Sequence, residues 1–129
     1  MNEPHPDSMT ILLVSPDLMV TSRLAGLARE VPARLETLRS LDGRPNGDGA
    51  YRLVLVDLGA LDGDPAVVLS RVEAILGHGP ETVVAAFGPH VARERLANAR
   101  AAGADHVVSR GEILGSFAAL VRQWCPPSV

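Results

Sequence analysis

The sequence predicts an α/β fold: a doubly wound, five-stranded parallel sheet in the order 2-1-3-4-5, with the second helix shortened or missing. Three observations carry this. Short apolar runs alternate with longer stretches of helical spacing from Thr10 to Trp124. Most of the runs are apolar at successive positions, as in strands covered on both faces by helices. Capping residues, Pro and Gly fall between the two kinds of segment, where helix ends are expected.

In chain order, residues 1–9 hold two Pro and no periodicity and read as a tail. Residues 11–14 (ILLV) form the first strand. Ser15-Pro16 then reads as a cap followed by Pro at the first helical position, and Val20, Leu24, Leu27 and Val31 fall on one face of the helix that follows. Over 33–38, Arg34 and Glu36 alternate with Leu35 and Thr37, the pattern of a half-exposed edge strand. The stretch SLDGRPNGDGA holds three Gly and a Pro and leaves room for at most one turn, near 40–42. A third strand over 53–56 ends at Asp57. Asp64-Pro65 opens a helix with Val67, Val68, Val72 and Ile75 on its apolar face, and Gly77 stands at its C-cap. After the fourth strand, 83–87, Gly88-Pro89 opens a helix bearing Val91, Leu96, Ala99 and Ala102, closed by Gly103. A fifth strand at 106–108 leads through the capping box Ser109-x-x-Glu112 to a last helix with Leu114, Phe117, Leu120 and Val121. Residues 10–124 thus make one domain, and 125–129 a second tail. Right-handed crossovers and an exposed second strand give the sheet order.

Composition removes whole classes of function. The 129 residues carry 12 basic and 15 acidic groups, a net charge of −3, which argues against nucleic-acid or anionic membrane partners. Aromatics are 3% of the chain, too few for base stacking. Every basic residue is Arg, so Schiff-base chemistry and a Walker-type phosphate loop are excluded. Cys125 is the single cysteine, and His5, His78 and His106 have no metal-site spacing. With a polar N-terminus and no apolar run of ~18 residues, neither a signal peptide nor a spanning helix is expected, and the expected location is the cytoplasm. No G-x-S-x-G elbow occurs and no enzyme activity is expected.

Ligands of such sheets bind at the carboxyl ends of the strands, where the strand order reverses. The residues there are Ser15, Pro16 and Asp17, then Asp57, then Gly88, Pro89 and His90, then Ser109 and Arg110. At these positions the chain resembles the receiver domain of bacterial two-component response regulators, over roughly 10–124. The likeness rests on ILLV, on YRLVLVDLG around Asp57, and on AAGADHVVSR. It implies a flavodoxin-like, CheY-like fold. In that family an Asp ending the third strand accepts phosphoryl from a histidine kinase, and an acidic pair after the first strand holds Mg²⁺. A Ser or Thr after the fourth strand and a Lys after the fifth contact the phosphoryl group.

Carried over by position, Asp57 is the phosphoacceptor position. Ser15 and Pro16 fall on the acidic pair, with Asp17 one place later. Gly88 takes the hydroxyl (switch) position, Arg110 the Lys position and Val107 that of a switching aromatic, while Leu61 replaces a Pro. The apparatus that offsets negative charge on an attacked phosphate is therefore largely missing. No cofactor is expected; Mg²⁺ binding would be weak, with Asp17 and Asp57 as its candidate ligands.

Asp62 and Asp64 read as turn and cap residues, and His90 as a solvated pocket-rim residue with a possible general-base or ligand role. Arg93, Arg95 and Arg100 read as a solvated helix face, with partner binding as the minority alternative. The expectation is a stand-alone, degenerate receiver-like signalling or protein-interaction module. It would act through a protein partner or self-association across the surface from helix 4 to helix 5 of the receiver layout. The alternatives are a working receiver phosphorylated at Asp57, and a small-ligand or nucleotide module using the crevice.

Overall fold

The computed structural model describes residues 9–45, 51–76 and 81–126. Its elements are β1 (Met9–Val14), α1 (Leu18–Ala28), β2 (Ala33–Leu38), β3 (Leu53–Asp57), α2 (Pro65–Leu76), β4 (Val83–Gly88), α3 (Arg93–Ala101), β5 (His106–Ser109), α4 (Arg110–Gly115) and α5 (Phe117–Trp124). All five strands are parallel, in the order β2-β1-β3-β4-β5, as expected. Among the described residues no helix is long and apolar enough to cross a membrane.

Alternation along the strands feeds two cores. Ile11, Leu13, Leu53, Leu55 and Phe87 face α1 and α5, meeting Leu24, Phe117, Val121 and Trp124. Leu12, Val14, Val54, Val56 and Ala86 point the other way, toward Val68, Leu69 and Val72 of α2 and Ala99 of α3. Each fully buried Leu or Phe contributes ~1.5–3 kcal/mol, so the pleat itself fixes which helices lie on which side. Among the described residues no helix joins β2 to β3. Instead Tyr51 is buried over that part of the sheet with its hydroxyl donated to Glu36, and Arg71 of α2 reaches Asp42 at 2.7 Å.

Several boundaries differ from the sequence reading. Met9 is already in β1, paired with Ala33, its N–H bonded to the Pro32 carbonyl at 3.1 Å. At the other end Cys125 is buried and the Pro126 carbonyl accepts from Arg52 Nη2 at 2.6 Å, so the second tail is tied down through 126. The last helix bends at Ser116 into α4 and α5, and Ile113 and Trp124 join Phe117 and Val121 on the buried side. Gly88-Pro89 does not open α3: Pro89 begins a turn closed by Ala92, leaving Val91 76% exposed ahead of the helix. Val67 is also exposed, because Val68 and Leu69 take the inward positions of α2; Ala102 is exposed beyond the end of α3. Gly103, at φ +107°, ends α3 with Ala104 N–H bonded back to Ala99, a left-handed cap that only Gly adopts without strain. Gly77, His5 and His78 lie outside the described residues.

Candidate functional site

Strand register explains the geometry around Asp57. Val14 pairs with Val56, so the next residues, Ser15 and Asp57, emerge side by side at the carboxyl end of the sheet. Both are fully buried. The Ser15 hydroxyl donates to Asp57 Oδ2 at 2.8 Å, and the Gly59 N–H donates to Asp57 Oδ1 at 3.0 Å. Each carboxylate oxygen is therefore engaged by a neutral donor, which is how a buried charge is made tolerable. Ser15 Oγ also accepts the Asp17 N–H at 3.1 Å.

Ser15 is not the cap of α1. That role belongs to Asp17, whose Oδ1 accepts from the Met19 and Val20 N–H groups at 2.9 and 3.2 Å. A carboxylate there also meets the positive end of the helix dipole. Pro16 is the spacer between a hydroxyl turned into the sheet and a carboxylate turned onto the helix, and its carbonyl accepts from Arg39 at 3.3 Å.

At the other side, the capping box predicted at Ser109 and Glu112 is formed in both directions, at 3.1 and 3.0 Å. It sets Arg110 at the start of α4. The guanidinium lies over Gly59: a Cβ added to Gly59 would sit 2.9 Å from Arg110 Nη2, 3.0 Å from Pro89 Cδ and 3.3 Å from Asp57 Oδ1. Only a residue without a side chain leaves this approach open. Among the described residues, the buried Arg110 Nε has no hydrogen-bond partner. Gly88, at the end of β4, backs onto the Gly59 amide, and His90 is exposed in the turn before α3.

Arg95 does not lie on the solvated face that the sequence pattern predicts. It donates through Nη1 to the Gly63 carbonyl at 2.7 Å, and through Nη2 to the Leu58 and Leu61 carbonyls at 3.0 and 3.2 Å. The clamp ties α3, which buries Ala99 alone and has no side-chain N-cap, to the loop that follows Asp57. Neutral carbonyl acceptors leave no mark in a sequence, so nothing there could have signalled it. Ser15 did leave one: a hydroxyl directly after a fully buried run needs a polar partner, and the strand order supplies Asp57.

These donors do not suit Mg²⁺, which takes several hard oxygen ligands in near-octahedral array. Asp57 has both oxygens bonded, Asp17 caps α1, and a hydroxyl that donates to Asp57 stands where a carboxylate would be needed. Among the described residues no three His, Cys, Asp or Glu side chains cluster as metal ligands would.

No family model and no curated protein matches the chain. Solved structures do. A putative pilus assembly-related protein from Burkholderia pseudomallei aligns over 100% of this chain and 98% of its own, with TM-score 0.68 and 18% identity. A putative pilus assembly protein from Burkholderia thailandensis aligns over 90% and 97%, with TM-score 0.58 and 22% identity. The receiver domain of a sensor histidine kinase from Pseudomonas aeruginosa, solved with a magnesium ion coordinated in its active-site cleft, aligns over 91% and 97%, with TM-score 0.69 and 14% identity. Response regulators and their receiver domains make up further matches. At such identities the likeness is one of fold: the chain has the CheY-like receiver fold.

Proposed function

We propose that this receiver-fold chain is a protein-interaction module of signalling type, not an enzyme, and that it works without phosphorylation of Asp57. One observation carries the reading: Asp57 is fully buried with Ser15 on one oxygen and Gly59 on the other. A nucleophilic carboxylate must present a lone pair in line with the phosphorus and have cations beside it as charge builds up. Asp57 instead joins the loop after β1 to the loop after β3. Two of the structural neighbours are described as pilus assembly proteins, one of them matching end to end, which supports a partner within a pilus assembly machine. The partner would dock along the edge strand β5 and the outer side of α3, where Arg93, Glu94 and Arg100 are exposed.

The test is incubation with acetyl phosphate and Mg²⁺, followed by intact-mass spectrometry. The mass is expected to stay unchanged. A phosphoryl adduct that disappears in Asp57→Asn would replace this reading with that of a working receiver.

A further inference from the structure

At the opposite end of the sheet from Asp57, a cavity of about 170 Å³ opens where three strands begin. Met9 is the first residue of β1, Pro32 immediately precedes β2 and Arg52 immediately precedes β3. Backbone bonds hold these starts in place: the Met9 N–H reaches the Pro32 carbonyl at 3.1 Å, and the Arg52 N–H reaches the Thr10 carbonyl at 3.0 Å. Val31, Val121 and Cys125 complete an apolar wall. An apolar cavity of ~150 Å³ admits benzene, so this one takes a body of about six carbons.

Two cations, Arg52 and Arg122, also line the cavity. Arg122 is exposed and Arg52 half-buried, which puts their charge at the solvent side. Arg52 Nη2 donates to the Pro126 carbonyl at 2.6 Å, and Arg122 Nη2 to the Glu30 carbonyl at 3.4 Å. Neutral carbonyls orient a guanidinium but leave its charge in place, and most of its five donors stay available. Among the described residues no Asp or Glu lines the cavity, and neither arginine has an ion-pair partner. Burial raises the Cys125 pKa, with Arg52 opposing, so at neutral pH the thiol is an uncharged wall that offers Arg52 no counter-charge. An apolar floor beside two uncompensated guanidiniums selects a molecule that is anionic at one end and apolar at the other.

We infer that this cavity binds a small carboxylate with an apolar body of about six carbons. The carboxylate would lie between Arg52 and Arg122, and the body against Met9, Val31, Pro32 and Val121. Because the site lies across the sheet from Asp57, it neither needs nor tests the reading of that side chain.

The experiment is a titration of the ¹⁵N-labelled chain with hexanoate, neutral hexanamide and hexylammonium, followed by amide chemical shifts. Hexanoate should give saturable shifts at Val31, Ala33, Arg52 and Cys125 and leave Gly59 and Gly88 unmoved. Hexanamide should bind about fivefold more weakly, and hexylammonium more weakly again. Arg122→Gln, on an exposed stretch of α5, should weaken hexanoate by about threefold without changing hexanamide. Cys125→Leu, which fills the cavity, should weaken both. Equal binding of the three molecules, no saturation with hexanoate by roughly 20 mM, shifts centred on Gly59 and Gly88, or hexanoate binding untouched by Arg122→Gln would overturn the inference.

Discussion

Replacing Ser15 by Ala tests whether the Asp57 carboxylate is structural. The substitution removes a 2.8 Å hydrogen bond to a fully buried charge and leaves Asp57 Oδ2 without its donor. A hydrogen bond to a charged group contributes ~1.5–3 kcal/mol, and the bond from Asp17 N–H to Ser15 Oγ, at the edge of solvent, adds ~0.5 kcal/mol. Removing the buried hydroxyl returns up to ~1 kcal/mol of its desolvation cost. The net expected loss is ~2 kcal/mol, or roughly 7 °C in Tm for a chain of this length. Urea denaturation followed by circular dichroism measures it, with Asp57→Asn and the double variant completing a cycle. Asparagine cannot accept from both Gly59 N–H and the Ser15 hydroxyl in the same way, so the two positions should couple by ~1 kcal/mol or more. A Ser15→Ala loss below ~0.5 kcal/mol, or strict additivity in the cycle, would refute the argument that Asp57 is held as a structural anion.

Other consequences are open to direct measurement. Gly59→Ala places a methyl 2.9 Å from Arg110 Nη2 and 3.0 Å from Pro89 Cδ; it should cost ~1–3 kcal/mol in denaturation, with part of the loss recovered when Arg110→Ala is added. Arg95→Met keeps the aliphatic stem and deletes three bonds to carbonyls; amide exchange over 93–101 should accelerate by ~10–100-fold while β1 and β3 keep their protection. Burial pushes the Cys125 thiol above its ordinary 9.0, with nearby Arg52 opposing. The folded chain then holds that proton after the unfolded chain would release it, so this contribution is complete at neutral pH and is lost as pH rises through the folded value. Alkaline melts should show a steeper fall for the parent chain than for Cys125→Ala.

The fold was legible because it rests on local alternation. Leu12 and Leu13 are neighbours in sequence and enter opposite cores, and a short run apolar at both positions between turn signals fits a strand covered on two sides. That no helix follows β2 among the described residues was legible from the glycines of that stretch. Helix starts were legible where the cap was the only polar group competing for the amides, as at Ser109, and misassigned where two stood close together. Before α1, the Ser15-Pro16 pair satisfied a capping rule that Asp17 satisfies in fact, because Ser15 was taken by a partner 42 residues away. Val91 was misplaced for a similar reason: Pro89 fits a helix start and a tight turn equally well. The Arg95 clamp and the close approach of Arg110 over Gly59 depend on backbone carbonyls and on an absent side chain, neither of which any residue pattern encodes.

The site changes are coherent as electrostatics. The receiver resemblance implies three clustered carboxylates, whose mutual repulsion is relieved by a divalent cation and a Lys. With Ser15 and Pro16 at the acidic positions, and Asp17 turned away to cap α1, one buried carboxylate remains there. One guanidinium, Arg110, approaches it across Gly59. Such a set is near neutral without a metal, and a divalent cation added to it would leave excess positive charge in a poorly solvated place. An arrangement without the acidic pair also lacks the clustered negative charge that a divalent cation relieves. Ser15 does more than vacate a position: its hydroxyl supplies the hydrogen bond that a carboxylate there would deny to Asp57, and so lets the aspartate remain buried as a joint between two loops.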